Sequence, residues 1–413
     1  MDIYDIAVVG GGAAGMMAAI RAGELKKNVV LIERTNALGK KILITGKGRC
    51  NVTNSADIDT FVKVFGKQGR FLRSAFWAFS NRALIDFLQK SGLELKAERQ
   101  GRVFPVTDES SSVVEVLKRS LLKNNVEILY SMRLFYIKKK SDCFQLNIDK
   151  NDKIYAKKVI LAAGGASYKI TGSSGDGYNI AKRLKHTVIP LKAALVPLKT
   201  RESWVKQLQG LSLKNVCIFF KCANKKITSP VGEMIFTHFG VSGPLVLDLS
   251  AKIVSAVSEY GDIALFVDLK PGLTPEQLEN RLLREFKLKQ NAQVNNVMGS
   301  LLPLSLIPVF LDVAEVPEEK KINQIVRKER HKIANLLKAF PLTVCGSLPI
   351  EEAMVTNGGV CTNEINPKTM ESKIVPGLYF AGELIDGAAP SGGYNLQQAF
   401  STGYLAGESA AHA

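Results

Sequence analysis

The sequence is poor in the patterns that bind metals or cross membranes. Its six cysteines (Cys50, Cys143, Cys217, Cys222, Cys345 and Cys361) form no C-x2-C pair, which excludes the usual zinc-site and thioredoxin-like spacings. Scattered thiols of this kind predict reduced cysteines in a cytoplasmic protein, with no metal centre. No apolar run approaches the roughly 20 residues that span a bilayer, and the first apolar strand starts at Ile3. A soluble, unprocessed chain without a membrane partner is expected. Acidic residues are also short: 38 Asp+Glu against 55 Lys+Arg leave a net charge of +17, so an anionic partner such as nucleic acid has to be considered. There is no internal repeat and no low-complexity linker. At 413 residues and 46% hydrophobic content, the chain exceeds the ~250–300 residues of a single core, and several domains are expected.

What is present starts at the N-terminus. The apolar run Ile3 to Val9 leads into Gly10-Gly11-Gly12-Ala13-Ala14-Gly15 and then into small residues up to Ala22: strand, glycine turn, helix. In this pattern Gly10 allows the tight turn, Gly12 lets backbone N–H groups approach a pyrophosphate, and Gly15 lets the helix pack closely on the strand. Ala13 and Ala14 lie at the helix start, where the dipole favours phosphate. A second strand, Val29 to Ile32, ends at Glu33, placed to accept hydrogen bonds from the ribose hydroxyls of an adenosine. This much indicates a dinucleotide and leaves FAD and NAD both open.

The far end of the chain separates them. Gly377 to Glu383 is an apolar strand ending in the corner Ala381-Gly382-Glu383, followed by Asp386 and by Ser391-Gly392-Gly393-Tyr394-Asn395-Leu396, where paired glycines open a helix running to about Glu408. A helix start there, with Gly393, Asn395 and Leu396, suits the pyrimidine side of a flavin. A nicotinamide enzyme does not need this second element. Between the two ends, Val159 to Gly165 reads as a buried strand passing under a cofactor, with Gly164 at its end. No second G-x-G-x-x-G follows a strand, so NAD(P)H is expected only as a transient reductant of the flavin.

Together with Gly39-Lys40-Lys41-Ile42-Leu43-Ile44-Thr45-Gly46-Lys47-Gly48-Arg49-Cys50-Asn51-Val52-Thr53-Asn54, Gly101 to Pro105, Gly172 to Tyr178, Phe236 to Pro244 and Thr369 to Ser372, these residues make the chain resemble the BaiN/RdsA family of bacterial FAD-dependent oxidoreductases over essentially its whole length. The resemblance implies noncovalent FAD in an α/β, Rossmann-type, glutathione-reductase-like domain built from residues 1–190 and 345–413. It also implies an inserted β-rich, barrel-like domain (191–270 and 335–344) and a small helical domain (271–334). Patterning agrees, with short alternating strands over 191–268 and helices over 274–339, the latter opening at Thr274-Pro275 as N-cap and first helical residue. Further flavin contacts implied are Arg34, Lys40, Lys41, Gly46, Arg49 and Leu134. The turn Ala388-Ala389-Pro390-Ser391 departs from the shorter turn of the family.

The positive charge is local. Residues 40–140 hold 20 Lys+Arg and 9 Asp+Glu, so this stretch carries +11 of the +17. Within it Lys63, Lys67, Arg70, Arg73 and Arg82 alternate with Phe61, Phe65, Phe71, Phe76 and Trp77. Cations beside aromatics suit single-stranded RNA; the helical spacing of Leu72, Phe76, Phe79 and Ala83 equally suits a core. Because part of the resembled family forms dihydrouridine in ribosomal RNA, three readings follow. The first is uridine reduction in ribosomal RNA. The second is a small-molecule flavoenzyme, either a C=C reductase or an amine oxidase. The third is an RNA-binding protein with structural FAD. Uridine reduction requires a hydride at C6 and a proton at C5. Cys50, beside Arg49, is the first candidate acid; Asn51 is a candidate carbonyl donor, and His238 in Thr237-His238-Phe239-Gly240 a second acid.

Overall fold

The computed structural model describes residues 3–149, 152–222 and 225–413. They form two compact units, Met1–Ala194 with Ile350–Ala413, and Leu195–Pro349.

The first unit is built on a parallel sheet. Its central strand β1 (Ile3–Val9) pairs with β2 (Val29–Ile32) on one side and with the ten-residue strand Asp152–Leu161 on the other, all parallel. β2 reads VVLI and is buried throughout, the composition required of a strand covered on both faces. Glu127–Leu129 extends the sheet beyond β2. The long strand has two partners along its length: Asp152 to Ala156 pairs with the antiparallel strand Phe144–Ile148, and Val159 to Leu161 pairs in parallel with Leu378–Phe380. The C-terminal segment thereby supplies a strand to a sheet that the N-terminus begins.

The same two ends meet again as helices. α1 (Ala13–Glu24) and the C-terminal helix Tyr394–His412 cross with their backbones in contact. A Cβ on Gly403 would lie 2.2 Å from the carbonyl oxygen of Ala14, and one on Gly407 would lie 2.3 Å from that of Ala18. The two glycines are four residues apart, as are their partners, so one face of each helix repeats the same contact a turn later.

The second unit closes a sheet on itself. The strands Ser212–Cys222, Gly232–Thr237, Gly240–Ser242, Leu198–Thr200, Phe340–Ser347 and Ile263–Asp268 pair antiparallel in that order, and the last pairs back with the first. Closure leaves this ring without an open edge. Two sequence expectations need correction here. The stretch 191–268 is not strands and turns alone, because Pro244–Tyr260 is a 17-residue helix started by a proline in its first turn. Residues 271–334 also lack a core of their own: Leu278, Leu282, Phe310 and Ile333 share one apolar cluster with the barrel residues Leu265 and Phe340, and the rings of Phe310 and Phe340 stack at 5.8 Å. Thr274 does cap the helix Pro275–Leu288, in a reciprocal box with Gln277. Among the described residues no helix is long and apolar enough to cross a membrane.

Replacing glycine by alanine inside a helix ordinarily stabilises a protein slightly. Gly403→Ala is expected to do the reverse and cost about 1–3 kcal/mol, the usual penalty for overpacking. Exposed Gly272, with no heavy atom within 4 Å of its Cβ position, should tolerate alanine within about 0.5 kcal/mol. Thermal and urea unfolding of the two variants checks the contrast.

Candidate cofactor site

A cleft opens in the first unit where β1, β2 and the strand Asp152–Leu161 end, lined by Gly10 to Ala14, Glu33, Ala162 to Gly164 and Gly382, among others. Its volume of about 200 Å³ exceeds by more than tenfold the ~15 Å³ that holds a water, so it has room for a ligand. The three fingerprint glycines differ in what they do. Gly10 has φ +106°, and a Cβ there would sit 2.4 Å from the carbonyl oxygen of Ala162. A Cβ on Gly15 would sit 1.8 Å from the carbonyl oxygen of Gly10. Gly12, by contrast, has an ordinary φ of −83° and nothing within 4 Å of its Cβ position. Gly10 and Gly15 thus serve backbone packing, and Gly12 leaves the cleft open. Gly12 is also the N-cap of α1 and no side chain caps this helix, so its first N–H groups are available to an anion. Glu33, 8% exposed, is fixed by accepting from the N–H of Gly11 and of Thr35, each at 2.7 Å.

The opposite wall comes from the C-terminal segment. Glu383 accepts from Lys41 Nζ at 2.6 Å through one oxygen, and from the Thr356 N–H at 2.7 Å and Ser167 Oγ at 3.0 Å through the other. Burial alone would raise this carboxyl, but the Lys41 charge and these hydrogen bonds together hold it below the ordinary glutamate value. The C-terminal helix also starts without a side-chain cap, at Gly393, and presents Asn395, Leu396 and Gln398 to the cleft. The Asn395 side chain is engaged with its own loop: it accepts from the Ala389 N–H at 2.9 Å and donates to the Ala389 carbonyl at 2.8 Å. Gln398 is different. It is 2% exposed, and its Nε2 has no hydrogen-bond partner among the described residues. A third wall gathers Arg34 and Arg133 on Asp176, at 3.2 Å and 2.9 Å.

A family model described as the HI0933-like protein Rossmann domain matches residues 4–409. The chain belongs to this HI0933-like family. It is 32% identical over 409 residues, 98% of each chain, to the 3-dehydro-bile acid delta(4,6)-reductase of Clostridium scindens. It is 30% identical over 408 residues to the ribosomal RNA dihydrouridine synthase of Escherichia coli, covering 98% of this chain and 97% of that one. Among solved structures, a 3-ketosteroid delta1-dehydrogenase from Sterolibacterium denitrificans aligns over the whole of both chains with a TM-score of 0.55 and 13% identity, a likeness of fold. As a member of this family, the chain is an FAD-dependent oxidoreductase.

The cleft of this HI0933-like chain fits FAD on observations independent of that membership: open space at Gly12, two uncapped helix starts, and a buried amide donor at Gln398 without a partner. Of the residues singled out from the sequence, Gly10, Gly12, Ala13, Ala14, Glu33, Arg34, Lys40, Lys41, Leu134, Gly164, Gly382, Glu383, Asn395 and Leu396 line it. Gly15, Gly46, Arg49, Asp386 and Gly393 are not among the lining residues. Gly393 packs instead on the Thr53 carbonyl, and Asp386 accepts from Gln68 Nε2 at 2.8 Å, its carboxyl raised by burial. Sequence reasoning missed the lining residues Met132, Arg133, Thr171 to Ser174, Met354, Val355 and Gln398; for Gly172 to Ser174 the signal was present as an unassigned glycine-serine motif.

The catalytic expectations require correction. Cys50 is fully buried, and burial pushes its thiol up to about 12. Arg49 does not acidify it, because its guanidinium pairs with Glu98 and Asp108 and stacks on Phe104 at 4.2 Å. Asn51 Oδ1 accepts from the Val103 N–H at 3.2 Å and so braces the loop. Neither Cys50 nor Asn51 lines the cleft. His238 belongs to the second unit, exposed in the turn after Gly232–Thr237 and edge-on to Phe239.

Two tests follow. Gly12→Val should fold normally but take up no FAD, whereas Gly15→Ala should lose stability. Gln398→Leu should weaken FAD by roughly fivefold, one neutral hydrogen bond of about 1 kcal/mol, without destabilising the apoprotein. FAD titration by fluorescence and thermal unfolding of the apoproteins read both effects. Glu383 has a depressed folded pKa, so its stabilisation is present above the ordinary glutamate value and disappears as pH falls through the folded one. Glu383→Gln should therefore be about 1–3 kcal/mol less stable than wild type at pH 7, and the gap should close on acidification, followed by unfolding from pH 7 to 3.

Proposed function

We propose that the chain reduces uridine to dihydrouridine in ribosomal RNA, acting in the cytoplasm with NAD(P)H as electron donor. Both named relatives point to one chemical class. A delta(4,6)-reductase and a dihydrouridine synthase each saturate ring carbon–carbon bonds, the second at C5=C6 of uracil. FAD held in the cleft would supply the hydride for C6, its electrons drawn from NAD(P)H, and the reaction would be completed by a proton at C5.

The protein's own groups prepare this. Glu33, its oxygens fixed by two backbone N–H groups, is placed to accept from ribose hydroxyls. The uncapped start of α1 is suited to the pyrophosphate. Lys41, held against Glu383 and Ser167, and the start of the C-terminal helix put positive potential on the far wall, favouring negative charge on a ring bound there. Gln398 adds an amide donor. The proton for C5 is not assigned to Cys50, whose thiol is buried and of high pKa.

The observation that carries RNA over a bile acid is the concentration of charge, +11 of +17 within residues 40–140. A polyanion exploits such an excess of cations; a bile acid offers a single carboxylate on an apolar body. The test is mass-spectrometric mapping of dihydrouridine in ribosomal RNA from cells with and without the gene. Loss of one modified position in the deletion, restored by wild type but not by Gly12→Val, is expected. Unchanged dihydrouridine, with NADH or NADPH oxidation by the purified holoenzyme on an enone and no RNA present, would instead establish a small-molecule reductase.

A further inference from the structure

The helix Gly69–Ala78 has two faces of opposite character. Leu72, Ala75 and Phe76 are buried, with Phe76 packed on Phe61 and Phe65 of the preceding segment at 5.4 and 5.7 Å. Phe61 in turn meets Tyr394 edge-on at 4.9 Å. These aromatics are structural. Arg70, Arg73 and Trp77, spaced i, i+3 and i+7, are exposed on the other face, and Trp77 is 65% exposed. Exposed Lys63, Lys67 and Arg82 flank them. Of these six, Arg73 has a carboxylate partner, Asp59 at 3.7 Å, and both side chains are exposed, so water competes for the pair. Lys63, Lys67, Arg70 and Arg82 form no salt bridge among the described residues.

This face is tied to the cofactor cleft by short links. Gln68, just before the helix, donates to Asp386 at 2.8 Å. Ala389 shares the apolar cluster of Phe61, Phe65, Leu72 and Phe76. Tyr394 opens the helix whose Asn395, Leu396 and Gln398 line the cleft. A large, rigid aromatic left in water among exposed cations, one packing layer from the cofactor cleft, lacks a role in the fold.

We propose that the face formed by Arg70, Arg73 and Trp77, with Lys63, Lys67 and Arg82, docks an unpaired stretch of RNA beside the cleft; this rests on the reading of the substrate as RNA. Trp77 stacks on a base next to the target, and the cations bind the neighbouring phosphates. From Arg70 to Trp77 is about 10 Å along the helix, the rise of about three stacked nucleotides. An unpaired segment is required because a uracil must leave its stack before its ring carbons are reachable.

The test uses the FAD-loaded full chain and a fluorescein-labelled, uridine-rich, unstructured ten-nucleotide RNA, with binding followed by anisotropy from 50 to 200 mM salt. Trp77→Ala should weaken binding about tenfold with little change in salt dependence. Arg70→Glu/Arg73→Glu should weaken it further and reduce the slope of log K against log salt by about 1.4, two phosphate contacts. Lys287→Glu/Lys289→Glu, an equal charge change at exposed positions of the second unit, should have a much smaller effect, and FAD content and unfolding temperature should match wild type throughout. If Trp77→Ala binds as wild type does, or the control pair loses as much as the arginine pair, the docking face is refuted while the RNA reading stands. If wild type does not bind the RNA at 50 mM salt, the docking face is again refuted, and dihydrouridine mapping separately decides the substrate.

Discussion

Four glycines without room for a methyl group bring the two ends of this chain onto one cofactor. Gly10 and Gly15 press α1 against the sheet, and Gly403 and Gly407 press the C-terminal helix against α1. Each contact is backbone on backbone. With the C-terminal helix crossing α1 at Gly403 and Gly407, the uncapped starts of both helices face the same cleft. A single larger side chain at the crossing would separate the two sources of positive potential that an anionic dinucleotide needs. The sheet makes the same connection independently, by pairing Leu378–Phe380 with the far half of Asp152–Leu161.

The electrostatics of the cleft follow from that closure. Its wall includes Glu33, Asp176 and Glu383, three carboxylates where an anion is to bind. None is left uncompensated. Glu33 is held by two N–H groups, Asp176 by Arg34 and Arg133, and Glu383 by Lys41, Ser167 and Thr356. The acids orient the cations and hydroxyl groups around them, and the two helix starts add positive potential without side-chain charge. The arrangement suits a ligand with a diphosphate in the middle and hydroxyls at one end. Glu383, expected from the sequence as a cofactor contact, lines the cleft and anchors Lys41 there.

How much of this could be read in advance depended on the range of the interaction. Gly10 to Gly15 and Glu33 were legible because strand, turn and helix are local and each glycine has a local reason. Gly382 and Asn395 were legible because the pattern recurred as a small-residue corner before a helix. Met132, Arg133, Met354 and Val355 were not, since they reach the cleft only through sheet order and carry no motif. The Cys50 expectation failed for a related reason. Adjacency in sequence to Arg49 says nothing about where a guanidinium points, and here it points to Glu98 and Asp108 while the thiol turns inward at a positive φ of 60°. The helix Pro244–Tyr260 was hidden because its apolar residues are dense enough to read as strand.

The charge excess shows how pairing changes the meaning of a formal count. Arg49 and Lys96 are engaged with Glu98 and Asp108, and Arg133 with Asp176. Lys41 is engaged with Glu383 inside the cleft. Among the cations of this stretch that form no salt bridge among the described residues, Lys63, Lys67, Arg70 and Arg82 lie on and around one helix. The aromatics divide by the same logic: Phe61, Phe65 and Phe76 are consumed by a small core that braces the loop before the C-terminal helix, and Trp77 is not. A sequence pattern with two readings, core and nucleic-acid surface, therefore resolves into both, one on each side of the same helix. The core side fixes the loop beside the cleft, so whatever the outer side binds is held in register with the redox site.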